Sequence, residues 1–242
     1  MLLAFPVRAQ QGEVTLGAGF HHSSGDYGTG TTTRITMLAA TGGYETGPWL
    51  YKAIVPYIKV SGESSVIPGA GRVRGGAAST RDESGLGDIV LSATYAAYYD
   101  KATTLGIDLT AKLKLATADE GRGLGTGEHD VVLAADGHRS FERVTGFGGV
   151  AYYILGDAPG AALENVWGAN LGASYQLDAR DSAGAMLEGR DRVAPGTSRQ
   201  RELIGFFVRK LDRSWKAQAY ALIGLADGSP DWGFGLSLAR PL

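Results

Sequence analysis

The chain has 242 residues, 44% of them hydrophobic and 20% charged, with a net charge of −2; it is long enough to fold and carries no basic excess suited to nucleic acid. It has no cysteine, which excludes disulfide frameworks, thiolate nucleophiles and cysteine-bound zinc. No stretch approaches the roughly 18 apolar residues of a spanning helix, whereas a spanning strand needs only about 9–11 alternating residues.

In chain order, the first segment (Met-Leu-Leu-Ala-Phe-Pro-Val-Arg-Ala) reads as the tail of a secretory signal, with Val7-Arg8-Ala9 in the small-residue cleavage pattern. The basic leader and most of the apolar stretch are missing, so the expected start lies further upstream. Cleavage is expected after Ala9 or nearby, leaving residues 10–242 as a single domain. From Glu13 onward the pattern has period two. It is clearest over 106–116, where Ile107, Leu109, Ala111, Leu113 and Leu115 share one face and Asp108, Thr110, Lys112 and Lys114 the other. Trp215, Ala217, Ala219, Ala221 and Ile223 repeat it, as do Trp232, Phe234, Leu236 and Leu238.

The pattern predicts about twelve strands, near 13–22, 33–45, 49–60, 86–97, 104–116, 128–140, 144–156, 165–177, 183–190, 199–210, 215–224 and 231–239. Short turns are predicted at 46–48, 100–103, 141–143, 178–181 and 211–214, and long Gly-rich polar loops at 23–32, 61–85, 117–127, 157–164, 191–198 and 226–230. Strict alternation of short and long connections is the pattern of an all-β, antiparallel, up-and-down transmembrane barrel. Its short turns lie in the periplasm and its long loops outside the cell. The 37 glycines, about twice ordinary usage, follow no collagen period and read as turns and tight strand packing.

A soluble barrel or sandwich would turn the apolar faces inward, and a membrane barrel turns them to lipid. Two features favour lipid. The polar faces carry a mixed-charge set able to pair across a wet lumen: Arg34, Lys52, Asp88, Asp108, Lys112, Lys114, Asp130, Asp136 and Lys216, the candidate solute-pathway residues. Aromatic residues also gather near strand ends, with Tyr44, Trp49, Tyr95, Tyr98 and Trp215 by the turns and Tyr57, Tyr153, Trp167 and Trp232 nearer the loops, as two interfacial belts would require. Lys112 and Lys114 can bridge to Asp130 and Asp136 on the neighbouring strand, primarily as a structural device.

Other constellations carry less. Gly121-Arg-Gly-Leu-Gly-Thr-Gly127 precedes a strand, so it does not open a helix onto a phosphate. His21 and His22 supply at most a surface metal contact, and the predicted set includes no metal site and no cofactor. His129 and Asp130 are adjacent on one strand and point to opposite faces, which is poor geometry for a catalytic pair. The segment Asp227-Gly-Ser-Pro-Asp231 reads as a tight turn rather than a calcium loop.

Three segments together carry a resemblance: Ser84-Gly-Leu-Gly-Asp88, the run from Lys114 through Gly121-Arg-Gly-Leu-Gly-Thr-Gly127, and Gly224-Leu-Ala-Asp227-Gly-Ser-Pro-Asp231-Trp-Gly-Phe-Gly. From about Gly12 onward the chain resembles the outer-membrane family named for the meta-pathway of phenol degradation, whose members are commonly labelled transporters. The resemblance implies a barrel in the bacterial outer membrane that passes small aromatic or hydrophobic solutes. It supplies no catalytic residues. The expected partners are outer-membrane lipid, a small solute and the barrel-assembly machinery, and no nucleic acid. An outer-membrane enzyme of lipase or protease type, and a structural or adhesive barrel using the 61–85 loop, are the alternatives.

Overall fold

A computed structural model of the chain describes residues 12–73, 79–158, 160–212 and 214–242, so the signal segment expected over 1–9 lies outside the described residues. The strands are β1 (Glu13–Gly25), β2 (Thr33–Thr46), β3 (Trp49–Glu63), β4 (Val66–Ile67), β5 (Gly71–Arg72), β6 (Thr80–Leu86), β7 (Ile89–Asp100) and β8 (Leu105–Leu115). They continue as β9 (Asp130–Phe141), β10 (Val144–Ile154), β11 (Val166–Gln176), β12 (Asp181–Arg190), β13 (Gln200–Lys210), β14 (Lys216–Gly224) and β15 (Trp232–Pro241). No helix is present among the described residues. Each wall strand pairs antiparallel with its neighbours, β1 closes on β15 and β2 joins β3, so the sheet is a closed barrel without free edges.

Strands β6 and β7 are one stave broken at Gly87–Asp88, which gives twelve staves in all. The cause lies on the neighbouring strand. Pro56 has no N–H to offer, so β3 pairs with β7 up to Ile54 and with β6 from Tyr57. The gap is sealed rather than open. Thr117 Oγ1 donates to Gly87 O at 3.0 Å and accepts from Ile89 N at 2.9 Å, and Gly87 N donates to Pro56 O at 2.8 Å. The expected long loop is correspondingly shorter, running between Glu63 and Thr80 and holding the β4–β5 hairpin.

The apolar phase faces outward. Leu109 is 48% exposed, Leu171 70% and Leu236 54%, as the side chains of a lipid-facing surface are. Trp49 packs on Tyr95 with ring centroids 4.8 Å apart at the short-turn end, and Tyr152 packs on Trp167 at 4.8 Å nearer the loops. Two assignments are corrected. Tyr153 belongs to the inner face, because its neighbour Tyr152 takes the outward position on that strand. Arg34 belongs to the outer face, since it pairs with Ser24 and Ser24 with the outward Trp232. The start of β2 is apolar on both phases, with Ile35 and Met37 against Leu38, so alternation alone could not place it.

The short turns and long loops fall at opposite ends in strict alternation. A protease added to intact cells is expected to cut an epitope tag inserted between Glu63 and Thr80, and to leave a tag in the 177–180 turn intact. Cleavage at the 177–180 turn instead would mean that the barrel is inverted.

Candidate functional site in the barrel lumen

The inward-facing phase divides into two unlike walls. The charged wall lies on β7 to β9. Lys114 Nζ is 2.7 Å from Asp130 Oδ2, 3.4 Å from Asp88 Oδ2 and 2.7 Å from Thr126 Oγ1. The aspartates are occupied further: Asp88 Oδ1 accepts from Thr117 N and Ala118 N, and Asp130 Oδ1 accepts from Gly156 N. Asp108 faces Asp136 across the β8–β9 pair, with His138 Nδ1 at 3.8 Å from Asp108 and Asn170 donating to Asp136 at 3.3 Å. Lys52 and Lys112 both face the lumen, each in register with Ser92, and Lys216 shares the inward phase at the start of β14. Of the nine candidates, Asp88, Lys114 and Asp130 thus converge on one another, Asp108 and Asp136 form a second group, and Arg34 lies outside the lumen.

The second wall was not foreseen as apolar. On β12 to β14, Met186, Ile204 and Leu222 form a buried cluster against which Phe147 and Tyr220 pack. Phe147 and Phe206 are 6.3 Å apart by ring centroid. Inward glycines make room for these rings: a Cβ on Gly172 would meet Phe147 at 2.6 Å, and Gly184 and Gly235 similarly accommodate Phe206 and Tyr220. His21 lies inside with its Nδ1 2.8 Å from Tyr220 Oη, while His22 points outward to Thr36, so the adjacent histidines cannot converge on one ion. The signal was present in the unbroken run Leu203-Ile-Gly-Phe-Phe-Val208, since a strand apolar on both phases has an apolar inner face.

At the loop end the lumen is crossed. The β4–β5 hairpin forms a strap rooted between β3 and β6, and Arg190 at the end of β12 donates to Ala70 O at 2.7 Å and Gly69 O at 3.3 Å. β3 and β12 are six staves apart by either route, so the strap spans a diameter of the mouth. Ile67, Ala70 and Val73 pack with Ala158, and Val66 packs with Tyr27, Ile58, Val60, Ala118 and Leu124. Burial raises the Tyr27 phenol to about 12, so it stays neutral within this cluster. Arg81 clamps the strap from its root, donating to Ser64 O, Val66 O and Gly123 O. Beneath the strap tip lies a cavity of about 160 Å³ lined by Tyr153, Glu188, Arg190, Gln200 and Glu202.

The two glycine motifs meet here. A Cβ on Gly125 would be 2.6 Å from Asp88 Oδ2, and one on Gly85 would be 2.8 Å from Leu124 Cδ1. Gly-Leu-Gly-Asp and Gly-Leu-Gly-Thr-Gly are therefore two halves of one packed unit around the Lys114 ammonium, and neither is a nucleotide loop.

Residues 8–238 match the family model described as "Putative MetA-pathway of phenol degradation". The chain belongs to this family. None of the curated proteins matches it by sequence. By fold it is similar to a KdgM porin (TM-score 0.58, 11% identity, 93% of this chain and 98% of that one). It is also similar to a NanC porin (TM-score 0.56, 8% identity, 95% of this chain and 100% of that one). The β domain of the Bordetella autotransporter BrkA is a third (TM-score 0.58, 12% identity, 96% of this chain and 100% of that one). These likenesses establish the outer-membrane barrel fold; their low identities carry nothing about the solute.

Proposed function

We propose that this family member is a passive outer-membrane channel for small solutes with aromatic or otherwise apolar bodies. The observation that carries the reading is the pair of half-buried inward rings, Phe147 and Tyr220, backed by the buried Met186, Ile204, Phe206 and Leu222, inside a barrel whose outer face is already apolar. A barrel that only had to stand in the membrane could fill that wall with small polar residues. An inner apolar surface gives a ring somewhere to lie during passage. A catalytic role is less well supported: His129 is exposed on the outward phase while Asp130 points inward to Lys114.

Purified protein in liposomes should pass small aromatic alcohols faster than sugars of matched size. Replacing residues 65–78 by a short Gly-Ser link should raise the flux of both, because the strap crosses the mouth. His129→Ala should leave flux unaltered. Lipase or protease turnover that disappears in His129→Ala would replace the channel by an enzyme. The interlocked loops and the strap favour a structural barrel as the second reading, and lack of flux even without the strap would select it.

A further inference from the structure

Lys52, Ser92 and Lys112 lie in one row across three adjacent staves, since Lys52 pairs with Ser92 on one side and Ser92 with Lys112 on the other. All three take the lumen-facing phase. Among the described residues neither Lys52 nor Lys112 makes an ion pair, in contrast to Lys114 one inward position further along β8, which two aspartates flank. The two ammonium groups are close enough for their charges to act on each other. Lys216 also acts on Lys52, and Glu45, near the short-turn rim on β2, is the carboxylate that does so, leaving one negative charge against three positive ones around the row. The row below carries Leu50, Thr94 and Thr110, and the row above carries Ile54, Val90 and Lys114, the last already engaged by Asp88 and Asp130. Like charges held side by side on a sheet face cost free energy, and a bound anion would remove that cost.

We propose that Lys52, Ser92 and Lys112 form a cradle for the carboxylate of a small aromatic acid, whose ring is left free to reach the apolar wall across the lumen. The stave order supports the second half. β7, at the middle of the row, is six staves from β13, against whose buried Ile204 and Phe206 the half-buried rings of Tyr220 and Phe147 pack. The ammonium groups flank the Ser92 hydroxyl, so both oxygens of a carboxylate can be engaged by charged donors while the hydroxyl donates between them. A neutral aromatic would gain the apolar wall alone. The cradle deepens the channel reading, on which its transport consequence rests, and names organic acids as the solutes held longest.

The probe is benzoate, with benzyl alcohol as the uncharged control. Titration calorimetry on the detergent-solubilised barrel reports binding, and single-channel current in planar bilayers reports passage. Benzoate should bind and transiently block the current, and benzyl alcohol should do neither at the same concentration. Lys52→Gln and Lys112→Gln keep the stems and should each weaken benzoate by at least about tenfold. Lys59→Gln, on the outward phase and paired with Asp82, should change nothing. Equal benzoate affinity in the double variant, or equal binding of benzyl alcohol, would overturn the cradle. Benzoate binding lost in the double variant, with no current from any form, would uphold the cradle and remove the channel.

Discussion

Lys114→Ala should lower the stability of the barrel by about 3–5 kcal/mol, the cost of leaving buried carboxylates without their cation. Asp88 and Asp130 have side chains only 10% and 12% exposed, and the Lys114 side chain they share is 19% exposed, so water is a poor substitute for its charge. The loss would also reach beyond the wall. Asp88 holds the backbone of Thr117 and Ala118, Asp130 holds Gly156, and Lys114 itself holds Thr126. Equilibrium urea unfolding from lipid vesicles measures the stability, and protease sensitivity of the 116–129 loop measures the local effect. Thr126→Val, which removes one charge-assisted hydrogen bond, should cost less, about 1.5–3 kcal/mol. If Lys114→Ala unfolds at the same urea concentration as the parent and its loop stays protected, the ammonium is not what ties the loops to the wall.

Leu109→Arg should destabilise by about 2–4 kcal/mol if the residue lies near the bilayer midplane, whereas Thr110→Arg should be far milder. The two positions are adjacent on β8 and differ only in face. Leu109 is 48% exposed on the lipid side beside Tyr95 and Ala135. Thr110 faces the lumen, where its hydroxyl is 2.9 Å from that of Thr94. A guanidinium at 109 must be desolvated or drag water into the hydrocarbon, while one at 110 enters a lumen already lined with charge. Unfolding from vesicles again measures both. A larger penalty at 110 would reverse the inside–outside assignment of the whole sheet.

What could be read in advance depended on how many independent signals converged on a residue. On β8 the alternation of Leu109, Ala111 and Leu113 with Thr110, Lys112 and Lys114 is unbroken, and its phase, partners and neighbours follow as expected. The alternation of short and long connections gives the stave number even though one strand is broken, because a break at Pro56 and Gly87 adds no connection across the membrane. Arg34 was misplaced because β2 begins apolar on both phases, with Ile35 and Met37 against Leu38, so alternation there does not report the face. The apolar wall was hidden for a different reason. The run Leu203–Val208 marks one strand as apolar on both phases, but Phe147 and Tyr220 join it by sitting over glycines of neighbouring strands, and that packing leaves no mark on the local pattern of either. The convergence of the two glycine motifs on Lys114 is likewise a contact across loops, invisible to spacing along the chain.

The strap has a consequence for the order of events in assembly. It leaves the chain after the third stave but docks on Arg190, at the end of the ninth. A segment that must wait for a partner more than a hundred residues later cannot find its place while the sheet is still open, and contacts of such long sequence separation form slowly. The barrel would therefore pass through a stage in which its wall is closed and its mouth is not. In that interval Ile67, Ala70 and Val73 are uncovered, and the last steps of maturation would take place at the end of the barrel that carries the long loops.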